Sequence, residues 1–74
     1  MQKKADIGIG YRAYQEAMRL FPKKKQARLA IGCSKHVLPG WKYGAAPTII
    51  YLARLCELGA DVEWILTGKR RKQQ

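Results

Sequence analysis

Proline and glycine cut this chain into short pieces. Pro22, Gly32, Gly44, Pro47, Gly59 and Gly68 recur so closely that no run between them exceeds eleven residues. The intervening runs carry helical rather than alternating periodicity, so the chain is predicted to fold as several short helices with tight connections. From Ile7 the apolar residues Tyr11, Tyr14, Met18 and Phe21 follow at steps of four, three, four and three, one face of a first helix. Arg12, Gln15, Glu16 and Arg19 fall on its other side, and Gly8 and Gly10 put the helix start near Gly10. Pro22 ends it. A second short helix spans Lys23 to Ala30, with Ala27, Ala30 and Ile31 turned inward.

Gly32 supplies the turn that ends this helix. Ser34 is then the expected N-cap of a third helix, with Val37, Leu38 and Trp41 inside. Pro39 would be the fifth residue of that helix. An interior proline loses one hydrogen bond and crowds a carbonyl, at ~3 kcal/mol. Two arrangements meet this: a kinked helix, or a single turn over 35–38 with a new start at Pro39. Pro47 opens a fourth helix whose Ile49, Leu52, Ala53 and Cys56 stripe is widened by Ile50, Leu55 and Leu58, so it is expected to be buried on most sides. Asp61 caps a fifth, Val62 to Thr67, with Glu63 in its first turn and Gly68 at its end. The predicted fold is all-α, a compact five-helix bundle over residues 9–68, with a flexible basic arm (1–8) and a basic tail (69–74).

Charge is the strongest functional signal. The 74 residues hold fifteen Lys and Arg against five Asp and Glu, a net +10. It is unevenly placed: residues 1–45 carry +8, residues 46–68 carry −2, and the tail adds +4. This segregation points to a polyanion-binding face. Lys23, Lys24 and Lys25 crowd a helix start, where the macrodipole disfavours cations and open N–H groups favour an anion; a phosphate backbone would satisfy both. Short helix, glycine turn and polar-faced helix match the helix-turn-helix plan, in which Lys35 and His36 reach base edges, Pro39 touches a thymine methyl, and Lys42 and Tyr43 meet phosphates.

Other classes find little support. One histidine (His36) and two separated cysteines (Cys33 and Cys56) make no zinc set, and both thiols are expected to be buried or half-buried. No catalytic constellation or phosphate-cradling loop occurs, so no enzyme, cofactor, metal or small-molecule substrate is expected. No apolar run is long enough to span a membrane and no signal peptide is recognisable, so a cytoplasmic protein is expected. Trp64 and Trp41 are expected in the core, Trp41 alternatively on a sugar-phosphate edge; Tyr11 and Tyr14 are expected inside with their hydroxyls at the surface. Tyr51 and the rest of 48–66 are the expected pairing surface of a dimer.

"GCSKHVLPGWKYG", followed by "APTIIYLARLCELGADVEWILTGKR", resembles the N-terminal DNA-binding domain of temperate-phage CI-type repressors over roughly residues 10–68. The closing stretch from Glu57 through Gly59 and Trp64 to Gly68 carries the more specific half of that likeness. The resemblance implies a lambda-repressor-like helix-turn-helix fold and a Cro-like regulator that represses transcription as a homodimer on operator DNA. The setting would be the nucleoid of a bacterial host. It also implies backbone contacts from Lys23, Lys24, Lys25, Gln26, Ser34, Lys42 and Tyr43, and base contacts from Lys35, His36 and Pro39. Arg28 stands where that family usually has a small alanine, so either helix two is offset by a residue or the turn is longer. An RNA- or nonspecific nucleic-acid-binding module and an antitoxin-like interaction module are the alternatives from other classes; no exposed aromatic platform for single strands is expected.

Overall fold

The computed structural model describes residues 8–69, and these form α1 (Gly8–Leu20), α2 (Lys24–Ile31), α3 (Val37–Lys42), α4 (Ile49–Glu57) and α5 (Val62–Thr67). The described residues contain no strand. The arm and the tail, apart from Gly8 and Lys69, lie outside the described residues, as does Ile7. α1 is the hub: it packs along α3 and α5 and touches α2, while α4 meets α2 and α5. The core is Ala13, Ala17, Ala27, Ile31, Leu38, Trp41, Leu55 and Ile65. Trp41 is therefore a core residue, and Tyr51 packs edge-on against it with ring centroids 5.9 Å apart. Trp64 is only half-buried, packed against the core from outside.

The buried line of α1 differs from the expected one. It is Gly10, Ala13, Glu16 and Ala17; the larger Tyr14, Met18 and Phe21 flank it, and Tyr11 is 37% exposed. Small residues hold the centre because α1 has neighbours on several sides, and large side chains there would keep those helices apart. Gly10 lies within the helix rather than at its start. A Cβ on it would collide with the Ala45 carbonyl oxygen, so glycine there permits close contact between α1 and the loop after α3.

Glu16, assigned to the polar side by its type, is 1% exposed. Its Oε1 accepts the Asp61 backbone N–H at 2.9 Å, and Arg19 donates to both carboxylate oxygens at 2.8 and 3.0 Å. One turn earlier, Arg12 Nε donates to the Ile65 carbonyl at 2.9 Å. The acid meets the N-terminal end of α5 and the guanidinium its C-terminal turn, the arrangement the helix dipole favours. α1 and α5 thus run antiparallel along this contact. Asp61 caps α5 as its sequence predicts, Oδ1 accepting the Trp64 N–H at 2.9 Å.

α4 departs most from expectation. Only Leu55 is buried; Tyr51, Leu52 and Leu58 are half-buried, whereas Ile49 and Ile50 are 78% and 73% exposed. Its N-cap is Thr48, whose hydroxyl accepts the Tyr51 N–H at 3.4 Å, so Pro47 precedes the cap instead of opening the helix. Arg54 ties α4 to α2, donating to the Ala30 carbonyl at 3.0 Å. Cys33 is half-buried, and its thiol pKa is raised chiefly by desolvation, opposed by the nearby Arg28 charge. Cys56 is exposed, contrary to expectation. No helix among the described residues is long and apolar enough to cross a membrane.

Candidate nucleic-acid interface

α2 starts without a side-chain cap. Lys23 is extended (φ −96°, ψ 127°), and the first helical bond runs from the Ala27 N–H to the Lys23 carbonyl at 3.0 Å. The N–H groups of Lys24, Lys25 and Gln26 therefore open outward, in a first turn that holds no acidic residue. Lys23, Lys24, Lys25 and Gln26 are all exposed. At the other end Gly32 takes the left-handed conformation (φ 82°), and its N–H closes on the Arg28 carbonyl at 2.8 Å. The Cys33 N–H shares that carbonyl at 3.2 Å, a glycine-terminated helix end of the kind the sequence predicts.

The third helix begins later than expected. Ser34 is not its cap; the Val37 N–H bonds to the Ser34 carbonyl at 3.2 Å, and residues 35 and 36 form a turn. His36 is the residue at the cap position, with no side-chain bond. Pro39 is thereby the third helical residue. Its position belongs to the first turn, whose N–H groups have no intrahelical acceptor, so neither a kink nor a second start is needed. The late start also lengthens the connection from α2 to five residues, Gly32 to His36, longer than the three or four usual in a helix-turn-helix. Ala27 is fully buried and Arg28 half-buried beside it.

Between α2 and α3 lies an open cleft of about 260 Å³, lined by Lys24, Lys25, Arg28, Lys35, Leu38 and Pro39. Four basic residues line it together with Leu38 and Pro39. Arg28 follows Lys24 by four residues and Lys25 by three, so the three share one helix face. That spacing is readable in the sequence, although Arg28 stood out there only as a departure from a family pattern. Lys35 arrives from the turn. His36 and Pro39 are exposed beside it, and Ser34 is exposed in the same loop.

Further along α3, Lys42 Nζ lies 5.8 Å from the Tyr14 ring centroid and 5.9 Å from that of Tyr43. Tyr14 stacks on Tyr11 at 6.3 Å, and Tyr43 is 79% exposed. Pro39, Lys42 and Tyr43 follow at helical spacing, so the cleft and this tyrosine cluster form one strip. An exposed aromatic surface is thus present where none was expected.

The charge balance is local as well as global. Among the described residues Glu16 pairs with Arg19, Glu57 pairs with Arg54, and Asp61 caps α5. No carboxylate pairs with Lys23, Lys24, Lys25, Arg28 or Lys35 among the described residues. No group of His, Cys, Asp and Glu among those residues could hold a metal ion. Comparison with protein-family models, with curated proteins and with solved structures finds no match for this chain.

Proposed function

We propose that this chain is a sequence-specific double-stranded-DNA-binding transcriptional regulator. In this reading it is of the kind that temperate-phage CI-type repressors represent, and it acts as a homodimer on a palindromic operator in the bacterial nucleoid. The observation that carries the reading is the cation-rimmed cleft: Lys24, Lys25, Arg28 and Lys35 converge there without a neutralising carboxylate among the described residues. Like charges gathered in this way oppose folding, and a phosphate backbone relieves the repulsion. Lys23, Lys24, Lys25 and Gln26 then hold one strand through the open end of α2, with Ser34, Lys42 and Tyr43 on phosphates further along. Lys35 and His36, from the turn before α3, and Pro39, from its first turn, approach base edges. One such domain makes few base contacts, and pairing over two half-sites supplies the missing specificity.

Selection of bound duplexes from a randomised pool tests this, followed by titration of the selected, a random and a single-stranded oligonucleotide over a salt series. The expected result is a selected sequence with two related half-sites, bound ~10³-fold or more above random duplex. His36→Ala should weaken the selected site alone by ~1–3 kcal/mol, while Lys24→Ala weakens both duplexes and lowers the salt slope by about one. Absence of any enriched sequence overturns the reading.

A second reading has one observation in its favour. Tyr43, 79% exposed with Lys42 against its ring, offers an unpaired base a stacking surface in a cationic setting. A preference for the single strand that Tyr43→Ala abolishes would select the nonspecific or RNA-binding module instead.

A further inference from the structure

The outward face of α4 has no partner in the described structure and no place in the cleft. With 3.6 residues per turn, Leu55, Tyr51, Leu52 and Leu58 point to the core. Ala53, Ile50 and Glu57 point directly away, with Ile49 and Cys56 along one flank and Arg54 along the other. Ile49 and Ile50 are 78% and 73% exposed, and Ala53 and Cys56 are exposed between them and the helix end. Two adjacent, largely uncovered isoleucines on a nine-residue helix form a concentrated apolar patch.

We propose that this face binds a second copy of the chain, α4 against α4 in antiparallel orientation, with Ala53 on the two-fold axis. An isologous contact must carry each feature and its complement on the same patch. α4 does so. Its first turn has no acidic residue, and Glu57 stands in its last turn with its side chain 67% exposed. Antiparallel pairing brings each Glu57 to the N-terminal turn of the other α4, where the helix dipole favours an anion. It sets Cys56 beside the partner's Ile49, and the small Ala53 lets the two backbones approach. The charge of the whole chain favours the same face. Two molecules of net +10 repel through most of their surface, and residues 46–68 are the one long stretch with a net negative charge. The proposal rests on the dimeric part of the reading above and not on recognition of nucleic acid.

Sedimentation equilibrium of the full chain, without DNA, from about 1 µM to 1 mM is the direct test. The expected result is a reversible monomer–dimer equilibrium that Ile50→Glu weakens at least ~30-fold with the helical circular dichroism signal unchanged. In a Cys33→Ser, Cys56→Ser background, Ala53→Cys should form a disulfide-linked dimer in air much faster than Gln15→Cys, an exposed position on α1. A chain that stays monomeric to 1 mM, a dimer indifferent to Ile50→Glu, or equal oxidation at positions 53 and 15 each overturns the proposal. Neither arm contains nucleic acid, so these failures leave the duplex titration untouched, and failure of that titration leaves this contact standing.

Discussion

Glu16→Ala probes the contact that holds the last helix onto the first. The carboxylate is 1% exposed and accepts from the Asp61 N–H and from Arg19. Truncation leaves the Asp61 N–H without that acceptor, at about 1–3 kcal/mol. It also removes one buried methylene, about 0.8 kcal/mol. The Arg19 pair adds less than its geometry suggests. Arg19 is 53% exposed and can rehydrate, so this part is discounted to at most about 1 kcal/mol. Relief of the buried charge works in the opposite direction. The net expectation is a loss of about 2 kcal/mol, which for a domain of this size lowers Tm by roughly 8–16 °C.

Glu16→Gln keeps an acceptor for the Asp61 N–H and loses only the charge, so about 1 kcal/mol is expected. Urea titration followed by tryptophan fluorescence measures both variants, since Trp64 lies on α5 and Trp41 in the core. An alanine variant within ~0.5 kcal/mol of the parent would refute the reasoning, because that is the range of a solvated surface position. So would a glutamine variant as damaging as alanine, since the N–H acceptor would then contribute nothing.

Gly10→Ala should destabilise by about 2 kcal/mol or more despite alanine's better helix propensity, because its Cβ meets the Ala45 carbonyl; Gly40→Ala, whose Cβ meets only the Ala45 methyl at 3.8 Å, should stabilise by about 0.5–1 kcal/mol. Both are read from thermal melts. Pro39→Ala should change stability by less than ~1 kcal/mol in the same melts; a gain near 3 kcal/mol would mean that the proline sits inside a helix rather than in its first turn. An aromatic disulfide reagent should modify Cys56 well before Cys33, and the pH midpoint for Cys33 should lie above the ordinary thiol value, as its raised pKa requires. By linkage, Cys33 contributes its full stability below the unfolded thiol pKa and loses it as pH rises through the folded one; removing Cys33 should flatten that alkaline loss, measured by urea titration.

Local signals in the sequence were legible, and long-range ones were not. Gly32 and Asp61 sit where turn and cap chemistry put them, because each acts within four residues of itself. Ser34 failed as a cap for an equally local reason: Pro39 is tolerated in a first turn and not beyond it, so the helix starts at Val37 and Ser34 is left outside. The inner face of α1 was misread because large apolar residues dominate a periodicity, whereas space between packed helices selects Gly10, Ala13 and Ala17. Glu16 could not be placed inside without knowing that the N-terminus of α5 would arrive beside it. α4 read as buried all round because its residues are apolar all round; the fold supplies neighbours for one side only. For the candidate interface, the lysine run and Lys35 were legible as charge. Their convergence with Arg28 on one cleft depends on how α2 and α3 are set by the five-residue turn.

Two sets of charged residues differ in what they touch, and Arg28, in the cleft without a carboxylate partner, stands with the lysines. Arg12, Arg19 and Arg54 each meet a carboxylate or a helix carbonyl, and together with Glu16 and Asp61 they join α1 to α5 and α2 to α4. All three are arginines, whose planar fork suits such fixed contacts. Lys23, Lys24, Lys25 and Lys35 make no such contact among the described residues, and as lysines they are compact, strongly hydrated point charges. Removing the first group should destabilise the fold strongly and removing the second should not, because these lysines have no hydrogen bond or ion pair to lose among the described residues. In the reading proposed above, a bound polyanion offsets the repulsion among Lys24, Lys25, Arg28 and Lys35 across the cleft.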